Sequence, residues 1–278
     1  MNFKSFGIRT LIALLFGPLI VLAVLQGGLW WLTFVLLVAV LSVYEFYGLA
    51  RHKESIAYYA PGLVCATALV ISLYFFDVRL VLPIILLYLV WVQFAALYRG
   101  SGSTLLDTSV SAFAALYYPL AFGSFILIRE LPASRFGLDS SPAGGWILVL
   151  ILSIWVCDTA AYIGGSYLGR HKLMPRISPN KSIEGSLLGF LFALLTAWLC
   201  HHWFIRGLQL HDSLVIGAIG GSLGQFGDLF ESMFKRDAGV KDSSRLIPGH
   251  GGILDRFDSL TITAPVVYLY LYLRFFAY

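Results

Sequence analysis

The sequence predicts an all-α, polytopic integral membrane protein with about nine transmembrane helices. Of its 278 residues, 59% are hydrophobic and only 12% are charged, whereas an ordinary soluble domain carries about 25% charged residues. The apolar residues also form long unbroken runs, such as LIALLFGPLIVLAVL near the N-terminus. Such runs favour transmembrane helices over the alternating strands of a membrane β-barrel.

Each predicted span is a run of about 20 mostly apolar residues, which is the length that a helix needs to cross a bilayer. The connections are short, apart from two polar loops at residues 165–183 and after Phe234. Lys4 and Arg9 precede the first run, but no small-residue cleavage site follows it, so this run is expected to be an uncleaved helix. The predicted spans are residues 8–25, 28–49, 57–76, 80–98, 108–128, 145–164, 184–205, 213–234 and 259–277.

The spans divide into two predicted domains. Residues 1–140 are expected to hold about five transmembrane helices, and residues 141–278 about four, which carry the candidate site. With nine spans and a cytoplasmic N-terminus, 14 of the 19 Lys and Arg residues lie on the cytoplasmic side and 5 on the other. This asymmetry follows the positive-inside rule and puts both polar loops on the cytoplasmic side.

Cysteine usage and charge exclude several classes of partner. Cys65, Cys157 and Cys200 each lie inside an apolar run without a CxxC pair, so they are expected to be small buried side chains rather than metal ligands or disulfides. The net charge of +4 comes without a basic surface interleaved with aromatic residues. We therefore expect no nucleic-acid partner, and we expect the lipid bilayer as the environment.

The segment from Ser232 to Asp258 is a charged exception in an apolar chain. It reads SMFKRDAGVKDSSRLIPGHGGILDRFD, and 9 of its 27 residues are Asp, Lys or Arg. Its cations suffice for a polyphosphate, with anionic lipid headgroups as the alternative partner. The glycines of PGHGG let the backbone approach an anion closely. The expected binding residues of this segment are Lys235, Asp242, Gly249, His250, Gly251 and Gly252.

Five of the acidic residues inside or at the start of predicted spans are candidates for the site, because an ionised acid there is costly unless it is paired or hydrated. Asp158 lies in the sixth span, Asp228 and Glu231 share a face of the eighth, and Asp255 and Asp258 share a face at the start of the ninth. A metal ion or another cation is the expected partner of Asp228.

Each of these assignments has an alternative. Asp228 could form a structural ion pair with Lys235 or Arg256, and Asp255 with Asp258 could cap a helix N-terminus. The five glycines of the eighth span, from Gly217 to Gly227, are expected to allow close helix packing.

The polar turn SPNKS, at residues 178–182, precedes the seventh span. A lysine at a helix N-terminus opposes the helix dipole, so the position of Lys181 favours a phosphate ligand. Ser178 and Lys181 are accordingly predicted to bind substrate. Glu45, near the end of the second span, could pair with Arg51 or reach the site, and both possibilities are open.

These motifs resemble the signature of the phosphatidate cytidylyltransferases, or CDP-diacylglycerol synthases. Residues 232–258 fit the pattern S-x-F-K-R-x4-K-D-x-S-x2-I-P-x-H-G-G-I-x-D-R-F-D at every fixed position, and CDTAAYIGG, SPNKSIEG and GDLFES are similar to the family as well. The resemblance covers residues 150–260 in detail. The five N-terminal spans resemble the family only in hydrophobic character.

The resemblance implies that CTP and phosphatidic acid yield CDP-diacylglycerol and pyrophosphate for phospholipid biosynthesis. It also implies a helical bundle with a polar, cytoplasm-facing cavity, a homodimer, and a multi-pass location in the bacterial inner membrane. The implied cofactor is Mg²⁺ with a second cation such as K⁺. Catalytic roles are predicted for Asp228, Asp255, Lys241, Arg256 and Asp258, and metal binding for Asp228, Asp255, Glu231 and Asp158.

Three other classes of function remain as alternatives. A secondary transporter would carry intramembrane acids, but it often shows inverted repeats, and none is visible here. A cytidylyltransferase for an ether lipid, or a polyprenol kinase, would differ only in the lipid or in the transferred group. A purely structural membrane protein would leave the charges of residues 232–258 unexplained.

Overall fold

The computed structural model describes residues 17–99, 102, 104–136, 141–205, 208–244, 246–247 and 251–276. Nine helices account for most of these residues, so the all-α prediction is confirmed. They are α1 (Gly17–Gln26), α2 (Gly28–Arg51), α3 (Tyr59–Phe75), α4 (Val81–Arg99), α5 (Thr104–Phe136), α6 (Ser141–Leu168), α7 (Ile183–Trp203), α8 (Leu210–Asp237) and α9 (Leu254–Phe276). An antiparallel hairpin of β1 (Lys172–Met174) and β2 (Ser178–Ser182) separates α6 from α7.

Five of these helices are long and apolar enough to cross a membrane, namely α2, α4, α5, α6 and α7. The helices α1 and α3 are apolar but shorter, and residues 8–16 of the first predicted span lie outside the described residues. The polytopic membrane class is confirmed at this level. The count of nine spans and the orientation in the membrane stay predictions.

Several helices extend beyond the apolar runs that predicted them. The helix α5 continues on both sides of residues 108–128, and α9 begins at Leu254 rather than at residue 259. Hydropathy sets the predicted bounds, whereas hydrogen bonds to polar residues add turns at the ends of a helix. As a result, Asp255 and Asp258 lie within the first turns of α9.

The chain forms two compact units. The first comprises residues up to 127 together with residues 234–257, and the second comprises residues 128–233 together with residues 258–278. The predicted division into domains at residue 140 stays a prediction.

In the first unit, side-chain hydrogen bonds join the long helices α2 and α5. The indole of Trp31 donates to the carbonyl of Phe125 at 3.3 Å, and the hydroxyl of Tyr47 donates to the carbonyl of Ser111 at 2.9 Å. Such bonds satisfy polar groups that would otherwise be costly to bury. A nearby apolar core contains Cys65, Leu69, Tyr88, Val92 and Ala115.

A buried acid at the start of α5 anchors the connection between α2 and α3. Asp107 is 1% exposed, and its Oδ1 accepts from the hydroxyl of Ser55 at 3.0 Å and from the N–H of Ile56 at 2.8 Å. Its place in the first turn of α5 complements the helix dipole. Asp107 therefore stabilises the fold of this unit.

In the second unit, glycines allow close approach of helices, as predicted. A β-carbon added to Gly221 would lie 2.6 Å from the β-carbon of Ala193 in α7. A β-carbon on Gly227 would lie 2.7 Å from the carbonyl oxygen of Asp258 and 2.8 Å from the α-carbon of Ser259. The prediction of buried, free cysteines is also confirmed for Cys65, Cys157 and Cys200.

The β-hairpin corrects the prediction of a simple polar turn at residues 178–182. Lys172 pairs with Ser182 and Met174 pairs with Ser178. The carboxylate of Glu184, in α7, accepts the backbone N–H of residue 170 at 3.1 Å and that of residue 171 at 3.2 Å, which fixes the entry to β1. The strand SPNKS lacks the alternating apolar residues that predict strands. Its backbone pairing with β1 holds it instead.

Candidate active site

Asp255 lies in a network of hydrogen-bond donors in the first unit. Its Oδ1 accepts from the ammonium of Lys235 at 2.5 Å. Its Oδ2 accepts from the N–H of Gly252 at 2.8 Å, and from the N–H and the hydroxyl of Ser243 at 2.9 and 3.0 Å. The side chains of Asp255 and Lys235 are only 6% and 12% exposed, so they form a buried ion pair.

Two glycines make room for this network. Gly251 has a φ of +79°, a left-handed conformation that favours glycine, and a β-carbon there would lie 2.5 Å from Oδ2 of Asp255. A β-carbon on Gly252 would collide with the hydroxyl of Ser243 and the carboxylate of Glu45. The backbone therefore passes close to two carboxylates, while the predicted contact of these glycines with phosphate stays a prediction.

Other predicted binding residues of the first unit lie at its surface. Lys241, Asp242 and Arg256 are exposed. Gly249 and His250 lie outside the described residues. Their roles stay predictions.

In the second unit, Lys181 and Asp228 form an ion pair. Lys181 lies in β2, directly before Ser182, whose hydroxyl accepts the N–H of Gly185 and caps α7. The ammonium of Lys181 is 2.5 Å from Oδ2 of Asp228, and the two side chains are 27% and 35% exposed. The other oxygen of Asp228 accepts from the hydroxyl of Ser232 at 3.3 Å. The pair joins a lysine that is predicted to bind phosphate to an aspartate that is predicted to bind a metal ion.

Three more of the predicted acids belong to the second unit. Asp158, in the C-terminal half of α6, interacts electrostatically with both Asp228 and Lys181. Asp258 accepts the N–H of the following residue at 2.6 Å, and Glu231 is only 5% exposed. Asp158 thus shares a charged cluster with the ion pair, whereas little of Glu231 is accessible. Ser178 lies at the other end of β2 from Lys181, opposite Met174 in β1.

The chemistry of these carboxylates fits a divalent cation. Mg²⁺ prefers oxygen ligands and commonly takes one or two carboxylates, with water and substrate phosphates as its remaining ligands. Within the ranges described, no group of three or more His, Cys, Asp or Glu side chains is arranged to hold a metal ion. A cation bound at Oδ1 of Asp255 would replace the ammonium of Lys235.

Glu45 belongs to the Asp255 network, although its role was open from the sequence. Arg51, one suggested partner, stacks its guanidinium over the ring of Tyr59 at 4.4 Å. An acid inside an apolar span signals a need for partners, but the sequence does not identify donors that lie 198 to 209 residues further along the chain. The donors to Glu45 are Ser243, Ser244, Ile253 and Leu254.

Known proteins are similar to this chain over nearly its whole length. A phosphatidate cytidylyltransferase of Staphylococcus epidermidis is 32% identical over 266 residues, which cover 94% of this chain and 96% of that protein. One of Staphylococcus aureus is 33% identical over 267 residues, with the same coverage of 94% and 96%. One of Staphylococcus saprophyticus is 47% identical over 122 residues, which cover 44% of this chain and 47% of that protein.

The sequence profile of the cytidylyltransferase family matches residues 7–274. The resemblance inferred from the motifs of residues 150–260 is therefore confirmed, and the match also includes the N-terminal helices, where hydrophobic character was the sole likeness. The profile spans nearly the whole chain, and the relatives at 32% and 33% identity align over 94% of it. The chain belongs to the cytidylyltransferase family.

Proposed function

We propose that this protein is a phosphatidate cytidylyltransferase, which converts CTP and phosphatidic acid to CDP-diacylglycerol and pyrophosphate. The observation that carries the proposal is a pair of carboxylate–ammonium contacts, Lys181–Asp228 and Lys235–Asp255, each with an N···O distance of 2.5 Å. Such contacts supply carboxylates for a divalent cation and ammonium groups for phosphates. The names of the similar staphylococcal proteins support the same reaction.

The reaction joins two anions. A phosphate oxygen of phosphatidic acid attacks the α-phosphorus of CTP, and the bond from that phosphorus to the oxygen bridging to the β-phosphate breaks. The electron pair of the broken bond leaves with pyrophosphate. Catalysis therefore consists mainly of positioning and charge neutralisation. No general base is required, because a phosphate monoester is already largely dianionic near pH 7.

The proposed cofactor is Mg²⁺, with K⁺ as a second cation. Asp228 and Asp255 are the proposed ligands, and Asp158 and Glu231 are proposed as further ligands. When bound, the divalent cation neutralises charge on the phosphate oxygens around the reacting phosphorus. Before a cation binds, Asp228 and Asp255 must each free the carboxylate oxygen that contacts a lysine.

Lys181 and Lys235 are proposed to exchange a carboxylate for a phosphate when nucleotide binds. The exchange keeps each ammonium next to an anionic oxygen, so that no buried positive charge is left uncompensated. Lys241 and Arg256 are exposed and are proposed to neutralise the leaving pyrophosphate. The other residues with proposed binding or catalytic roles are Ser178, Asp242, Gly249, His250, Gly251, Gly252 and Asp258.

The proposal includes the setting of the enzyme. We propose a homodimer in the bacterial inner membrane, with a cytoplasmic N-terminus and with a polar cavity open to the cytoplasm. The excess of basic residues in one set of predicted loops supports this orientation. Labelling of single cysteines introduced into those loops in intact cells tests the orientation, and light scattering of the detergent-solubilised protein tests the dimer.

The decisive experiment is turnover by the purified protein in detergent. CTP labelled in its β- and γ-phosphates should release labelled pyrophosphate, and CDP-diacylglycerol should form, only when phosphatidic acid and Mg²⁺ are both present. No CTP turnover in any lipid would overturn the proposal and favour a transporter or a structural protein. Turnover with an ether-linked lipid phosphate, but not with phosphatidic acid, would identify the ether lipid as the substrate. Transfer of the γ-phosphate to a polyprenol would identify the protein as a polyprenol kinase.

A further inference from the structure

Glu45 is a buried carboxylate in the first unit, on the helix α2. Its side chain is 1% exposed. Its Oε1 accepts from the hydroxyl of Ser244 at 2.7 Å and from the N–H of Ile253 at 2.9 Å. Its Oε2 accepts from the hydroxyl of Ser243 at 2.9 Å and from the N–H of Leu254 at 2.8 Å. Each oxygen thus has two donor groups within hydrogen-bond distance, one of which, the Ser243 hydroxyl, is shared with Asp255. These donors compensate the cost of burying the charge.

Ser243 connects Glu45 to Asp255. Its hydroxyl oxygen lies 2.9 Å from Oε2 of Glu45 and 3.0 Å from Oδ2 of Asp255, and its N–H donates to the same Asp255 oxygen at 2.9 Å. A hydroxyl has a single proton, so it donates to one carboxylate at a time while both set its position. A displacement of Glu45 therefore moves a donor of Asp255.

Glu45 also fixes the beginning of α9. The first N–H groups of a helix have no acceptor within the helix, and Glu45 accepts those of Ile253 and Leu254. A carboxylate at this end complements the helix dipole. Because Asp255 follows Leu254 directly, these bonds also set the direction in which the Asp255 side chain leaves the backbone.

We propose that Glu45 is a positioning residue for cytidylyl transfer. Through Ser243 and the first turn of α9, it holds the carboxylate of Asp255 in the orientation that binds a divalent cation. The inference rests on the proposed function, because it takes Asp255 as a cation ligand. The helix α2, from the N-terminal half of the chain, would then help to orient a catalytic acid, although all the acids predicted for the site come from the C-terminal half.

The test compares Glu45→Gln with the wild-type enzyme in detergent. Glutamine keeps the size of the side chain but replaces one acceptor oxygen by an NH₂ donor, so the donors to that oxygen lose their acceptor. Loss of a group that orients a metal ligand typically changes metal affinity or activity about 10- to 100-fold. We expect the Mg²⁺ concentration for half-maximal CDP-diacylglycerol formation to rise by about this factor, with little change in the KM for phosphatidic acid.

Asp107→Asn is the matched control. Asp107 is an equally buried acid of the same unit, but its donors Ser55 and Ile56 belong to the connection between α2 and α3. This variant should lower the unfolding temperature without changing the Mg²⁺ dependence. Ser243→Ala keeps Glu45 and removes the shared hydroxyl, so it should shift the Mg²⁺ dependence in the same direction by a smaller factor. If Glu45→Gln does not fold, Ser243→Ala tests the proposal in its place.

Hydrogen–deuterium exchange tests the contacts without turnover. In Glu45→Gln, the peptide that contains Ile253 and Leu254 should exchange faster than in the wild type, whereas Asp107→Asn should leave it unchanged. Unchanged exchange, or a shift in Mg²⁺ dependence no larger than that of Asp107→Asn, would overturn the proposal. If the wild type forms no CDP-diacylglycerol, the proposed function fails, and the exchange rates decide separately whether Glu45 orders this segment.

Discussion

The ammonium of Lys181 lies 2.5 Å from the carboxylate of Asp228. The contact joins the strand that precedes α7 to the helix α8. A lysine predicted to bind phosphate and an aspartate predicted to bind a cation are therefore partners. In the proposed reaction, this pair must separate when Mg²⁺ and CTP bind.

Removal of the Lys181 charge is expected to weaken the use of CTP. Hydrogen bonds to charged groups contribute about 1.5–3 kcal/mol, so Lys181→Met should lower kcat/KM for CTP by about 10- to 100-fold. Initial rates of pyrophosphate release at varied CTP concentration measure the effect. Lys53→Met is the control, because Lys53 pairs at 3.0 Å with Asp237 and both side chains are largely exposed. Equal kinetics for the two variants would remove Lys181 from the site.

Asp255→Asn should lower both the stability of the protein and its activity, and a second substitution should separate the two effects. Lys235 is 12% exposed, so loss of its carboxylate partner should lower the free energy of unfolding by about 3 kcal/mol and abolish transfer. The double variant Lys235→Met/Asp255→Asn removes both charges and should regain most of the stability while it stays inactive. Thermal unfolding in detergent and pyrophosphate release measure the two effects. Activity that returns together with stability would show that Asp255 acts on the fold alone.

Gly227→Ala should disturb the contact of α8 with the start of α9. The new β-carbon would lie 2.7 Å from the carbonyl oxygen of Asp258, and backbone atoms of a helix cannot move aside singly. We expect overpacking to lower the free energy of unfolding by about 1–3 kcal/mol and to reduce activity, because Asp228 is the next residue.

Gly48→Ala is the control for this substitution. Gly48 also lies in a helix, α2, and a β-carbon there would have no heavy atom within 4 Å other than those of its neighbours and of the backbone of its own helix turns. Alanine in a helix interior is more favourable than glycine by about 0.5–1 kcal/mol, so Gly48→Ala should be neutral or stabilising. Similar unfolding temperatures for the two variants would contradict the close approach at Gly227.

Chelation of divalent cations should stop transfer without unfolding the protein. Mg²⁺ commonly takes one or two carboxylates together with water and substrate phosphates, so we expect it to bind together with the nucleotide. EDTA should therefore abolish CDP-diacylglycerol formation and leave the unfolding temperature unchanged, and added Mg²⁺ should restore the rate while K⁺ alone should not. An unfolding temperature that falls in EDTA would indicate a structural metal instead.

Much of the fold was predictable because membrane helices have a strong local signal. A run of about 20 apolar residues predicts a helix from hydropathy alone, and all predicted spans within the described ranges coincide with helices. The β-hairpin was missed because its strand Ser178–Ser182 is held by backbone pairing with β1, whose entry is fixed by Glu184, a residue of the following helix. The helix α9 begins at Leu254, five residues before the predicted bound, and Glu45 accepts its first N–H groups.

By itself, the sequence determined the membrane class, the family and the identity of the candidate residues. Composition and the motif of residues 232–258 carry that information residue by residue, without reference to the partners of each side chain. Only the tertiary structure decided that Lys181 pairs with Asp228, that Lys235 pairs with Asp255, and that Glu45 receives donors from a segment about 200 residues away. A buried charge requires partners, but the chain supplies them from elements distant in sequence, and no local pattern specifies which elements those are.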